Sequence, residues 1–231
     1  MLDLLFPVCC PVCLEPVLPK GHDLHAACKK SLKFISEPYC MKCGRPVPDP
    51  SKELCGGCGG AHTWFDAGRC VFPYRSCISD ALVDVKKNGT REFVDFFGRA
   101  AVKRLGDFIE SVSPDILVPV PLHKKKLKAR GFNQSGLIAH AISLYSGIPA
   151  EDILKKERET ADQKTLSKHE RERNLSRAFA VREGAPVPGT VLVVDDIFTT
   201  GSTVNACAHI LKDSGAEKVY FLCIAAGSAV E

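Results

Sequence analysis

Ten of the twelve cysteines of this 231-residue chain lie between Cys9 and Cys77; only Cys207 and Cys223 fall in the remainder. Within that stretch two segments have matching form. Cys10-Pro-Val-Cys13 is followed by His25-Ala-Ala-Cys28, and Cys40-Met-Lys-Cys43 is followed by Cys55-Gly-Gly-Cys58. A C-x2-C turn lets two thiolates share one ion on a tight knuckle, and two such turns complete the tetrahedron of a closed structural zinc site. Four-ligand closure leaves no open position, which argues for zinc over iron–sulfur or redox chemistry. The expectation is two zinc ions, one on Cys10, Cys13, His25 and Cys28 and one on Cys40, Cys43, Cys55 and Cys58. Cys9 stands as an alternative to Cys10, and His25 rests on spacing alone. Gly44 and Gly59 follow the second cysteine of their pairs, where a tight knuckle favours positive φ. His22, Cys70 and Cys77 have no partner at ligand spacing and read as ordinary.

The cysteine boundary divides the chain into a module at 1–63 and a larger domain at 64–231. Some 50 residues with few large apolar side chains do not fold without help, so the metal reads first as a staple. The sharper reading is a ribbon that touches nucleic acid or a partner. Charges between Cys9 and Cys58 nearly balance and aromatics are scarce, which favours the staple over a basic nucleic-acid face. A net charge of +4 is too weak by itself to argue for nucleic acid. No apolar run approaches the ~18 residues of a membrane span, and the apolar start is too short for a signal peptide and lacks a basic leader. The reading is a cytoplasmic protein, where clustered cysteines point to metal rather than disulfides.

From Trp64 onward, short apolar runs alternate with helical periodicity. Residues 69–76 read as a strand leading to a turn. Ile78, Leu82 and Val85 share one helix face broken by Asn88-Gly89, and Glu92 to Ile109 is a second helix. Asp115–Leu122 is a buried strand ending in prolines, and Gln134–Leu144 another amphipathic helix. A short strand closes at Val181, Val191–Val194 is the next, Val204–Asp213 a helix ended by Gly215, and Val219–Ala226 the last strand. Strands alternating with helices give an α/β domain with a parallel sheet covered on both faces.

The stretch "VLVVDDIFTTGST", Val191–Thr203, carries the most chemistry. Ligands of such sheets bind beyond the carboxyl ends of the strands. Asp195 and Asp196 stand at one such end, and Thr199, Thr200, Gly201, Ser202 and Thr203 form the loop and first turn of the next helix. Unpaired N–H groups and the helix dipole favour an anion there, and the hydroxyls add donors. The carboxylates suit the vicinal hydroxyls of a ribose, and a magnesium ion through water. A ribose 5-phosphate is therefore the expected ligand. Without a ligand the same string reads as a capped helix after a strand with a solvated acidic pair. Neither a Walker loop nor a G-x-G-x-x-G fingerprint occurs.

"VLVVDDIFTTGST" resembles the 5-phosphoribosyl-1-pyrophosphate (PRPP) signature of type I phosphoribosyltransferases. Together with "FPVCCPVCLEP", "YCMKCGRPVP", "CGGC", "VPVPLHKKKLKARGFNQS" and "QKTLSKHERERNLSRAF", in that order, it resembles the ComF family over nearly the whole chain. That family joins an amino-terminal zinc module to a phosphoribosyltransferase domain, and some members are linked to natural transformation, the uptake of DNA. The resemblance implies a type I phosphoribosyltransferase fold in which Val120, Pro121 and Leu122 form the pyrophosphate loop. Ile116 to Ala150 holds no acidic residue, while Lys124, Lys125, Lys126, Lys128 and Arg130 cluster; a basic loop there suits a pyrophosphate, a solvated turn or a nucleic-acid patch. Where Lys126 stands the family usually has arginine, and lysine keeps the charge but loses the bidentate fork. Lys86 matches a lysine the family carries after its first helix.

The charge-dense stretch Lys155–Arg177 reads by itself as an exposed segment. By resemblance it is a hood closing over the site, with Gln163, Leu166, Arg171 and Asn174 matching the family pattern; such a lid suits a reaction that must exclude water from an activated sugar. The implied chemistry is displacement of pyrophosphate from PRPP, with magnesium, by an unidentified acceptor. Hypoxanthine-guanine phosphoribosyltransferases carry an aspartate where this chain has Thr199, which argues against ordinary purine salvage. The alternative is a PRPP-sensing or single-stranded-DNA-handling factor for DNA uptake that acts without turnover, with single-stranded DNA or competence proteins as partners.

Overall fold

The computed structural model describes residues 8–17, 22–60, 62–157 and 178–227. Two similar knuckles come first. Residues 8–17 and 38–47 each fold into a short antiparallel hairpin, with Cys9 bridged to Pro16 and Tyr39 to Pro46. The turns repeat bond for bond: Leu14 N donates to Cys10 O and Gly44 N to Cys40 O, while Cys10 N donates to Glu15 O and Cys40 N to Arg45 O. Each knuckle is followed by a short helix, α1 (Ala26–Ser31) and α2 (Gly56–Gly59), whose N-caps are His25 and Cys55. The turn position after the second cysteine is left-handed in both copies, at Leu14 (φ 63°) and Gly44 (φ 69°). Gly59 does not share it, because it lies inside α2 rather than in a knuckle.

The larger part is built on a four-stranded, wholly parallel sheet in the order β1 (Ala67–Pro73), β6 (Lys218–Ala226), β5 (Thr190–Phe198), β2 (Ile116–Pro119). The connecting helices are α3 (Ser76–Asn88), α4 (Arg91–Val112), α5 (Lys124–Arg130), α6 (Gln134–Ser146) and α7 (Ser202–Asp213). In β5, Leu192 and Val194 join the core that α3, α4 and α6 share, while Val191 and Val193 pack toward α7. That alternation with both faces apolar is the pattern of a strand buried on both sides.

Two expectations need correction. The strands expected at 69–76 and 191–194 lie in this sheet as β1 and β5, but the strand closing at Val181 does not. It is β4 (Phe179–Val181), paired antiparallel with β3 (Leu154–Lys156) as a separate ribbon. The basic cluster, expected as a loop, is α5, with His123 as its N-cap. None of its seven residues is acidic, and the capping His123 Nδ1 accepts from Lys125 N.

The cysteine-rich module is not a separate bead. Ile35, Cys40, Cys43, Val47 and Cys55 belong to the same buried cluster as Phe65, Phe198, Val204 and Phe221. The second knuckle lies along β1, the edge strand: Gly68 N donates to Lys42 O (2.8 Å) and an Arg69 guanidinium N–H to Met41 O (3.0 Å). Gly44 is required here on two grounds. Besides its φ, a Cβ would meet Arg69 Cα at 2.7 Å and Gly68 O at 2.8 Å. An exposed edge strand offers unpaired backbone groups to other chains, and the knuckle covers this one. The connection into β1 is pinned to α7 and β6, with Trp64 N donating to Asn205 Oδ1 (2.6 Å) and Asp66 N to Val219 O (2.7 Å).

Candidate active site and metal centres

The donor atoms of Cys10, Cys13, His25 and Cys28 all lie within 4.8 Å of one another, as do those of Cys40, Cys43, Cys55 and Cys58. Cys9 is not in the first group; its side chain packs instead against the core beneath α3 and α4. His25 is oriented as a ligand. Its Nε2 faces Pro16 O at 3.0 Å and its Nδ1 faces Cys13 Sγ at 3.3 Å. With the proton on Nε2, donated to that carbonyl, Nδ1 is free to bind a cation, the outer support that metal-bound histidines use. In the second group Cys43 Sγ and Cys55 Sγ are 3.7 Å apart, and a tetrahedron with zinc–sulfur bonds of ~2.3 Å has edges of about 3.8 Å. Burial raises the pKa of Cys10 and Cys40, but backbone N–H groups of their own knuckles and of His25 and Cys55 outweigh it and bring each down to about 7. Both quartets therefore fit zinc in donor set and in distance.

The second site lies at the carboxyl end of the sheet. Asp195 and Asp196 are the last residues but two of β5, inside the strand rather than beyond it, and only 8% and 7% exposed. Asp195 Oδ1 accepts from Ser135 Oγ at 2.8 Å, in the first turn of α6, and from Asp196 N at 2.9 Å. Burial, with the neighbouring Asp196 carboxylate, pushes Asp195 well above the ordinary carboxylate range, and the Ser135 bond only partly opposes this. Asp196 faces Lys86 of α3, whose ammonium is 3.7 Å from Oδ2. That oxygen is buried and accepts no hydrogen bond among the described residues. A buried anionic oxygen without a donor is costly, and it suits a hydroxyl or a hard cation supplied by a ligand.

Next to the pair, β5 ends at Phe198 and α7 starts at Ser202. Gly201 is its N-cap, left-handed at φ 80°, and Ser202 N, at the first helical position, donates to Thr200 Oγ1 at a long 3.4 Å. A Cβ at Gly201 would come within 2.7 Å of Phe198 Cζ. Thr199 and Thr200 are exposed, Thr200 Oγ1 and Ser202 Oγ share a 2.9 Å hydrogen bond, and Thr203 lies in the first turn. Hydroxyls and the first N–H groups of α7 thus lie together just past the end of β5.

Across from it, Val120 N donates to Val194 O (2.9 Å), which holds the Val120–Pro121–Leu122 turn beside β5. Asn133 Nδ2 donates to Val120 O (3.0 Å), closing the turn from below, while Asn133 Oδ1 is buried with no partner among the described residues. Lys126 is exposed on α5, and Arg130 donates to Gln134. Gln163, Leu166, Arg171 and Asn174 lie outside the described residues. The ends of their segment are nevertheless placed, because β3 and β4 pair at Lys156 and Phe179.

Three residues of the site carry no local signal of their role in the sequence. Ser135 and Asn133 look like ordinary helix-start residues, and only the fold carries Ser135 to an aspartate sixty positions away. Lys156 was absorbed into the charge-dense segment. It bridges His123 in β fashion, and burial together with Lys126 lowers its pKa while Cys207 and Asp195 pull the other way.

Residues 1–59 match the double zinc ribbon domain and residues 128–230 the phosphoribosyl transferase domain. The chain is 30% identical over 216 residues to the DNA utilization protein YhgH of Escherichia coli K12, covering 85% of this chain and 94% of that protein. It is 29% identical over 208 residues to Competence protein F of Haemophilus influenzae, covering 86% and 88% respectively. With Competence protein ComFC of Bacillus subtilis it shares 27% over 202 residues, covering 82% and 78%. No described helix is long and apolar enough to cross a membrane.

Proposed function

The chain belongs to the ComF family, and on that premise we propose that it binds PRPP with magnesium and displaces the pyrophosphate with an acceptor not yet identified. One observation carries this reading: among the described residues a buried carboxylate oxygen of Asp196 has no hydrogen-bond donor, and it stands next to the hydroxyl-bearing start of α7. The first asks for a hydroxyl or cation, the second for an anion, and a ribose 5-phosphate supplies both.

In this reading Thr199 to Thr203 hold the 5′-phosphate through N–H groups and hydroxyls, and Gly201 keeps the backbone close. Asp195, oriented by Ser135, and Asp196, balanced by Lys86, accept from the ribose hydroxyls. The turn at Val120–Leu122, with Lys126, Arg130 and Lys156 around it, holds the pyrophosphate. Magnesium would be held by the Asp195–Asp196 pair through water and by the ligand, and it supplies charge neutralisation of the leaving group. As the C1–oxygen bond breaks, its electron pair passes to the pyrophosphate while the acceptor's lone pair forms the new bond at C1. Fixed cations around the turn favour that charge. In this reading the 155–177 segment, which leaves β3 and returns at β4, excludes water from the activated sugar. The cysteine quartets hold two structural zinc ions.

A second reading rests on α5, where Lys124, Lys125, Lys126 and Lys128 are all exposed. A PRPP-sensing factor would use that face on single-stranded DNA, as the names of the relatives suggest. Titration calorimetry with PRPP and magnesium, on the wild type and on Asp195→Asn/Asp196→Asn, tests the shared premise. Charge-assisted bonds are roughly twice as strong as neutral ones, so the double variant should lose more than about a hundredfold in affinity. Wild-type binding that survives in the double variant sinks the premise. Pyrophosphate release across bases, nucleosides and single-stranded DNA then separates enzyme from sensor, and a sensor's DNA affinity would fall steeply with salt.

A further inference from the structure

Arg45 follows the second zinc knuckle directly, after Cys43 and Gly44, and it is only 6% exposed. Its guanidinium carbon lies 4.8 Å from the centre of the Phe198 ring, and its Nε is buried without a hydrogen-bond partner. Among the described residues no carboxylate lies within ion-pair distance of it. A cation held this far out of water, with an aromatic face as its only charge-stabilising contact among the described residues, favours an anion nearby. Phe198 is the residue before the Thr199–Thr203 loop, and the tip of its ring closes on Gly201. Its ring also stacks on Phe221 at 4.6 Å. The guanidinium therefore stands behind the loop proposed for the 5′-phosphate, carried there by the metal module.

We infer that Arg45 is a positioning residue of the phosphate site: its buried charge is balanced by the ligand's phosphate dianion, and its contact with Phe198 sets the loop at Gly201. The inference rests on the PRPP reading above and gives the zinc module a part in ligand binding. The knuckle bonds that fix Arg45, Cys40 N to Arg45 O and Gly44 N to Cys40 O, are those that shape the metal quartet. Zinc in the second quartet and phosphate in the loop are thereby linked, and linkage is reciprocal.

The test compares Arg45→Met and Arg45→Lys with the wild type, using ribose 5-phosphate and inorganic pyrophosphate with magnesium as separate probes in calorimetry. Arg45→Met should lose roughly tenfold in affinity for ribose 5-phosphate and none for pyrophosphate, and Arg45→Lys should recover part of the loss. Arg45→Met should melt no lower than the wild type, since it removes an unbalanced buried charge, an outcome that a purely structural role would reverse. Unchanged ribose 5-phosphate affinity in Arg45→Met overturns the inference while leaving the PRPP reading intact. Failure of the wild type to bind either probe overturns that reading itself. Should Arg45→Met release its zinc, the wild type decides: saturating ribose 5-phosphate should slow zinc release to a chelator, and an unchanged rate refutes the linkage.

Discussion

Substitution of Gly201 by alanine separates two physical effects, because the fold contains its own control. Gly201 sits at φ 80°, ψ −3° and Gly147, at the end of α6, at φ 75°, ψ −1°. The backbone term is nearly the same for both, about 1 kcal/mol for a left-handed Cβ, partly offset by the lost freedom of the unfolded chain. Their surroundings differ. At Gly147 nothing lies within 4 Å of an added Cβ, while at Gly201 the Phe198 ring lies at 2.7 and 3.0 Å. Phe198 is 2% exposed, with Phe221 stacked on it and Phe65 against its edge, so it has little room to give. Overpacking of that kind costs about 1–3 kcal/mol. Gly147→Ala should therefore lose about 1 kcal/mol and Gly201→Ala about 2–4 kcal/mol. For a chain of this size the second loss lowers the melting temperature by roughly 5–10 °C. Scanning calorimetry of both variants measures it. PRPP affinity should fall only in Gly201→Ala, because only there does the loop shift. Equal losses of stability in the two variants would refute the packing argument and leave the glycine explained by its φ alone.

Asp195 carries a pH signature. Its folded pKa lies above the unfolded value of about 3.9, so between the two the native state holds a proton that the unfolded chain has released. Stability therefore falls as pH rises through that window. Asp195→Asn cannot titrate and can still accept from Ser135, so it should melt higher than the wild type at pH 7, with an advantage that shrinks toward pH 4. Melts across that range that show a lower or pH-independent difference would contradict this. Metal analysis should return two zinc ions per chain. Cys40→Ser should destabilise more than Cys13→Ser, because Cys40 is fully buried in the core shared with the sheet while Cys13 is exposed; the reverse order in thermal melts would mean that the second quartet does not hold the module to the sheet.

Several features are legible in the sequence alone because they are local. The two quartets follow from cysteine spacing, since a knuckle needs only a few residues to aim two thiolates. The strands at 191–194 and 219–226 and the longer helices α3, α4, α6 and α7 follow from apolar periodicity. The turn before α7 follows from a glycine and hydroxyls placed between a strand and a helix. What only the tertiary structure decided are relations between distant segments. Asp195 and Asp196 look solvated in the string, but β5 runs on past them and buries both, which turns an acidic pair into a site with an unsatisfied oxygen. The "AFAV" run has the composition of a sheet strand, yet it pairs antiparallel with β3 in a separate ribbon, a choice of partner that its own residues do not encode. Gly44 reads as a turn residue, and it also has to admit the backbone of β1. Arg45 is one of the nearly balanced charges of a small zinc module, with nothing local to mark it. Its burial against Phe198 comes from docking that module on the sheet, a contact between residues 153 positions apart that no local pattern encodes.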